Sequence, residues 1–258
     1  MPSSHTGGPH HGAPLAVLLP GSGSDEIFLR TAFRAPLRAL GISLCTGATG
    51  SVDAYFNALD DAARRSTKYK VPLLVGGVSL GAQVAARWAA GQLAQQRNPV
   101  AGLLLAMPGW TGAPGGAAAA LAASATAASL RRHGLAATIA DTRANTPAWL
   151  GDELARAWTR HDSAGKGSLA DSLDTAAGTA GPTRAELAAL RVPVALTAMT
   201  DDPIHPLAVA RDWHATLPHS ALVTTTLAAL GGDPESLGRA TALAWQKVTR
   251  TGSTREGC

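Results

Sequence analysis

Residues 73–85, LLVGGVSLGAQVA, decide how this chain is read. An apolar run stops at Gly76-Gly77, Ser79 stands between Gly77 and Gly81, and small and apolar residues at helical spacing follow. That is a strand, a very tight turn and a helix. At the centre of such a turn a serine is forced into strained dihedrals, and small residues two positions to either side keep the turn from clashing. The hydroxyl is then lifted above the sheet edge, at the N-terminus of a helix whose dipole favours a developing negative charge. Ser79 is the candidate nucleophile. The bland alternative is a glycine-rich strand-to-helix turn with an incidental serine. A serine hydroxyl attacks only when a base takes its proton, so the chain must be searched for that base.

Working outward, strand-like and helix-like stretches alternate. Apolar runs at 14–20, 42–46, 71–77 and 100–108 read as strands, with helices over 26–40, 51–69 and 80–94 between them. Alternation resumes with strands at 192–199 and 221–227 and helices at 206–217 and 234–248. Between the fourth and fifth strands, residues 109–190 hold Ala-rich helical pieces at 117–133, 147–160 and 183–190, separated by Gly/Ser/Asp-rich breaks. Strand–helix alternation implies a parallel sheet with helices on both faces, and fully apolar strands fit a sheet covered on both sides. The expected organisation is a leader over 1–13, a core over 14–108 and 191–250, a helical cap or lid over 109–190, and a tail over 251–258.

Composition narrows the function. The chain has 258 residues, 46% hydrophobic and 16% charged, which describes a globular protein with a sizeable core. The net charge is +4, spread thinly with no basic block, which argues against nucleic acid as a partner. The most apolar 20-residue stretch is broken by Gln83, Arg87 and several glycines, which argues against a membrane span. The two cysteines, Cys45 and Cys258, form no metal-binding spacing. His5, His10 and His11 sit in the Gly/Pro/Ser-rich leader, which lacks a secretory-signal pattern. A cytoplasmic protein with no cofactor and no metal, acting on a small molecule, is the expectation.

Two further turns carry chemistry. Leu19-Pro20-Gly21-Ser22-Gly23-Ser24-Asp25 follows the first strand. A glycine turn there can aim backbone N–H groups at an oxyanion, with the N–H of Leu80 as the other donor. It lacks the glycine spacing of a dinucleotide loop. Thr200-Asp201-Asp202-Pro203-Ile204-His205-Pro206 follows the fifth strand, where a carboxylate could orient a histidine. Asp202 is the better acid, and Asp201 is a candidate helix cap.

These residues carry a resemblance to the α/β-hydrolase superfamily. The PG-rich loop, the GVSLG elbow, the helical insertion and TDDPIHP after the next strand follow that family's order over nearly the whole chain. The Asp-Pro-Ile-His-Pro turn and the following VARDWHATLP are similar to the acid turn and helix of bacterial esterase-like members. The resemblance implies Ser79 as nucleophile, Asp202 as acid, and Ser22 and Leu80 as oxyanion amides. It also implies a cap over 109–190, and a truncated sheet lacking the family's first two strands.

The departure is equally clear. The family carries its catalytic histidine in the loop after the last strand, but here that region reads LAALGGDPESLGRA, residues 227–240. Three explanations stand. The base is relocated, to His205 first, or to His133 or His161 in the insertion, with His214 and His219 as surface positions. Or the pocket runs a lyase, cyclase or isomerase reaction in which Asp202 or Asp233 serves as acid or base. Or the protein is an inactive binding relative. Asp233 also reads as a helix cap, since Asp-Pro-Glu is a helix-start signal. Gly21 and Trp110 are expected in the substrate pocket, with Trp110 near its mouth. Trp149 and Trp158 are expected to anchor the insertion, and Trp88, Trp213 and Trp245 to pack in the core.

Overall fold

A computed structural model describes residues 12–47, 51–97, 100–164 and 168–253. His5, His10, His11 and Cys258 lie outside the described residues. Six strands form one sheet: β1 (Leu15–Leu19), β2 (Ser43–Thr46), β3 (Leu73–Val78), β4 (Gly102–Ala106), β5 (Val194–Met199) and β6 (Ser220–Thr225). Their order is β2-β1-β3-β4-β5-β6, and every pair is parallel. All the carboxyl ends therefore meet at one edge, where ligands of open α/β sheets bind.

The two-residue period of a strand explains why these strands are apolar throughout. Val17, Leu19, Leu73, Val75, Leu103, Leu105, Val194 and Leu196 point to one face. There they meet α2 (Val52–Tyr69), α3 (Leu80–Ala94) and α8 (Leu207–Thr216). Ala16, Leu18, Leu74, Leu104 and Ala195 point to the other, against α1 (Glu26–Arg38) and α10 (Ser236–Ser253). β1, β3, β4 and β5 are almost wholly buried, and the edge strands β2 and β6 only partly so.

Between β4 and β5 lie α4 (Ala118–Asn145), α5 (Ala148–Ser163), α6 (Leu169–Gly178) and α7 (Arg184–Ala189). Gly134 has φ +77° and ψ 171°, which breaks α4 in two. Ser129 and Thr138 hydroxyls are hydrogen-bonded at 3.0 Å across this break. A straight helix would separate them by about 13 Å, so the chain reverses at Gly134 into a helical hairpin. The insertion has its own small core of Ala127, Ala157, Trp158, Leu169, Ala170 and Leu173. Its last helix, α7, instead buries Leu187 in the main core.

Two helices depart from the sequence expectation. α6 falls partly on a stretch read as a break, and is opened by the Ser168 hydroxyl accepting from the Asp171 N–H. α9 (Leu227–Gly232) occupies a stretch read as a loop. Its six residues end in two glycines, too short for periodicity to register. It forms because Thr226 caps the N–H of Ala229 and the Asp201 carboxylate accepts from the N–H groups of Leu227 and Ala228.

Candidate active site

Ser79 stands where β3 turns into α3, with φ +53° and ψ −117°, outside the regions open to L-residues. A residue held there costs about 1–3 kcal/mol and persists only when its surroundings enforce it. The enforcement is visible. A Cβ on Gly77 would lie 2.2 Å from the Leu19 carbonyl oxygen, and one on Gly81 would lie 2.1 Å from the same atom. The end of β1 thus passes directly against the turn, and only glycines fit to either side. The Ser79 N–H is tied to the Ala106 carbonyl at 2.9 Å. The side chain remains half-buried, reachable from the sheet edge.

The turn after β5 brings a histidine to it. His205 Nε2 lies 2.8 Å from Ser79 Oγ, and His205 Nδ1 lies 2.8 Å from Asp202 Oδ2. The other carboxylate oxygen, Oδ1, accepts from the N–H groups of Ile204 at 2.8 Å and His205 at 3.2 Å. One carboxylate therefore shapes the turn and orients the ring. Burial alone would raise the Asp202 carboxyl. The hydrogen bond and charge of His205, with the two N–H groups, outweigh burial and hold it below the ordinary carboxylate value. An ionised carboxylate only accepts, so Nδ1 carries a proton, and in the neutral ring Nε2 accepts from the serine hydroxyl. The Asp202 side chain is 5% exposed and that of His205 14%, so the chain of bonds is largely screened from water.

The loop after β1 completes the neighbourhood. A Cβ on Gly21 would lie 3.5 Å from the Ser79 Cβ. Ser22 and Gly23 are the centre of a turn closed by the Ser24 N–H on the Gly21 carbonyl at 3.1 Å. Leu80 opens α3, so its N–H belongs to the first turn, which has no acceptor within the helix.

The other sequence candidates are placed elsewhere. Asp233 is engaged at the start of α10. Its carboxylate accepts from the Glu235 N–H at 2.9 Å and pairs with Arg239, half exposed, because the start of α10 needs acceptors for its free N–H groups. Trp110 is not at an open mouth. It is 7% exposed beside Ala120 and Ala177, and its indole N–H donates to the Thr179 carbonyl at 3.2 Å. It staples the start of the insertion to its end, since a buried indole N–H needs an acceptor. His133 is exposed and His161 half-buried, both on the insertion. His214 bonds Ser220 and His219 bonds the Val248 carbonyl.

Trp158 donates to the Gly23 carbonyl, and Trp149 lies against Gly231. Trp88 and Trp213 are buried in the core, and Trp245 is partly buried against it. Sequence reading missed Tyr55, whose buried hydroxyl donates to the Pro20 carbonyl at 3.1 Å, and Arg156 and Arg160, which reach Asp25. Tyr55 on its helical spacing looks like an ordinary core aromatic, so nothing local marks it. Among the described residues, no group of three or more His, Cys, Asp or Glu is placed to hold a metal ion. No helix among them is long and apolar enough to cross a membrane.

No family model and no curated protein sequence matches the chain. Solved structures do. A Mycobacterium tuberculosis protein superposes with a TM-score of 0.63 at 17% identity, covering 93% of this chain and 92% of that one. A bromoperoxidase from Bacillus anthracis gives 0.60 at 16% identity over 95% and 93%. A thermophilic esterase from Thermogutta terrifontis gives 0.56 at 15% identity over 95% and 89%. With six parallel strands in this order, helices on both faces and a helical insertion after β4, the chain has the α/β-hydrolase fold.

Proposed function

We propose that the protein is a serine hydrolase that cleaves an ester, thioester or related acyl substrate, with His205 as its base. The observation that carries this reading is the continuous chain Ser79 Oγ, His205 Nε2, His205 Nδ1, Asp202 Oδ2, each bond 2.8 Å. A nucleophile bonded to a base, and that base oriented by a third group, is the arrangement acyl transfer requires.

In the acylation step His205 Nε2 takes the hydroxyl proton as Ser79 Oγ bonds to the acyl carbon. The carbonyl electrons move to oxygen, and the N–H groups of Leu80 and Ser22 receive the oxyanion. Asp202 stabilises the imidazolium. The proton then passes from Nε2 to the leaving alcohol or thiol as the C–O or C–S bond breaks. Water repeats the sequence, with His205 again as base, and releases the acid and free Ser79. The helical insertion serves as the cap over this edge.

The base is unusual only in its address. It follows its own acid by three residues, in one turn, instead of arriving from the loop after the last strand. The lyase-type and binding-protein readings both rested on a missing base, and the His205 contact weakens that ground. Fold neighbours include esterases and a thioesterase domain, which supports acyl chemistry at the level of the fold.

The test is intact-mass spectrometry after a fluorophosphonate, alongside turnover of p-nitrophenyl acetate. Wild type is expected to gain one adduct, Ser79→Ala none, and His205→Ala an adduct slowed by about 10³-fold or more. An unlabelled, inactive wild type overturns the proposal. Labelling of His205→Ala at the wild-type rate overturns His205 as base.

A further inference from the structure

The loop that must supply the second oxyanion amide is held from outside the sheet. Its carbonyls are used in turn: Pro20 accepts from the Tyr55 hydroxyl, Gly21 from the Ser24 N–H, and Gly23 from the Trp158 indole at 3.1 Å. Trp158 belongs to α5 of the insertion, 135 residues away in sequence. A Cβ on Gly23 would lie 3.2 Å from its indole nitrogen, so the ring is seated directly on the turn.

The same helix grips the next residues. Arg156 holds Asp25 with both guanidinium nitrogens, at 2.9 and 2.7 Å. Arg160 reaches Asp25 at 3.1 Å and also Glu26. Asp25 in turn caps α1 through the N–H groups of Ile27 and Phe28. Burial alone would raise the Asp25 carboxyl, but Arg156 and the two N–H groups outweigh it and hold the group below its ordinary value. The Asp25 side chain is only 10% exposed, so these bonds are not a loose surface pair.

Ser22 lies between the anchored carbonyls of Pro20 and Gly21 and that of Gly23. Its N–H has no acceptor among the described residues. A turn whose neighbouring carbonyls are all committed cannot rotate its free N–H away without breaking one of them. We propose that Trp158, with Arg156 and Arg160 behind it, is a positioning residue. Through the Gly23 carbonyl it sets the direction of the Ser22 N–H toward the acyl oxygen of substrate on Ser79. The insertion would thus tune the reaction as well as cover the site, without touching the reacting atoms. This inference rests on the serine-hydrolase reading.

Trp158→Phe keeps an aromatic, though smaller, ring and removes the N–H. Three measurements test it on the full chain: steady-state p-nitrophenyl acetate kinetics, inhibition by a trifluoromethyl ketone that forms an oxyanion on the serine, and backbone hydrogen exchange over residues 20–25. Loss of a whole oxyanion donor costs about 10²–10³-fold, so loosening one is expected to lower kcat about 10-fold while KM stays within about two-fold. Affinity for the ketone should fall in parallel, and exchange over residues 20–25 should rise. Arg156→Gln should move the same three readouts less, and it stands in if the Trp158 variant does not fold. Unchanged exchange with unchanged kcat overturns the inference and leaves the serine-hydrolase reading standing. A lower kcat with undiminished ketone affinity also overturns it, because the oxyanion donors would then be intact and the loss would arise elsewhere. If Ser79→Ala turns over like wild type, the hydrolase reading itself falls, and this inference with it.

Discussion

The sheet and the helical insertion hold the site in different ways. In the sheet, position is enforced by backbone against backbone. Leu19, Gly77 and Gly81 approach so closely that no side chain fits, and Ser79 keeps its strained dihedrals because nothing around it can move. The core strands bury every residue from Leu73 to Val78 and from Gly102 to Ala106. The insertion has a small Ala-rich core, and carries individual polar contacts within itself and to the loop after β1. These include Arg131 to Asp171 and Asp174, Arg143 to Asp152, Arg156 to Asp25, and Trp158 to Gly23. Steric enforcement is close to all-or-none. Polar ties can be weakened one at a time. On the proposed reading, the reacting serine is held by the sheet, and adjustment falls to the contacts of α5.

The comparison can be broken most severely at the chemical atoms. His205→Ala should lower kcat/KM for p-nitrophenyl acetate by about 10⁴- to 10⁶-fold with little change in Tm, because the strained turn is held without it. A drop of only a few fold would remove His205 from the mechanism. Next comes the steric contact. Gly81→Ala places a methyl group against the Leu19 carbonyl and should cost about 4 kcal/mol or more, read by urea denaturation. A nearly neutral result would mean that β1 and the elbow are not in close approach.

The polar ties should answer on a smaller scale. Asp25→Ala removes a helix cap and the Arg156 and Arg160 partner together, and should cost about 1–3 kcal/mol at pH 7. Its folded carboxyl is held below the ordinary 3.8. The stability it contributes is therefore complete above about pH 4 and is lost as pH falls through the lower folded value. The gap between wild type and variant should narrow below pH 4. A gap that is constant with pH would mean that the carboxylate's charge contributes nothing. The smallest effect is expected at Asp233, exposed, bonded to the Glu235 N–H and paired with Arg239. Asp233→Ala should leave Tm nearly unchanged and ester turnover within about two-fold. A large loss of turnover would return it to the site.

Much of the fold was legible because its signals are local. Apolar runs of five or six residues and glycines at fixed offsets need no knowledge of distant chain. The elbow could be read from residues 73–85 alone, since a Gly-flanked serine between a strand and a helix has few other uses. Short α9 was not legible, because one of the groups that starts it, Asp201, lies 26 residues earlier. Trp110 was misplaced for a similar reason. Its acceptor, the Thr179 carbonyl, lies 69 residues downstream and has no sequence signature.

By itself the sequence determined the parallel sheet, and it put a Gly-flanked serine and an aspartate turn at the same edge. It could name His205 only as one of several candidates. The tertiary structure brings one of them to the serine by laying β5 one strand beyond β4, so that a turn 126 residues from Ser79 places its imidazole at the hydroxyl. It also decided that α5 should grip the loop after β1. Both contacts join groups far apart in the chain, and hydrogen bonds of 2.8 or 3.1 Å depend on where whole elements come to rest, which no local pattern encodes.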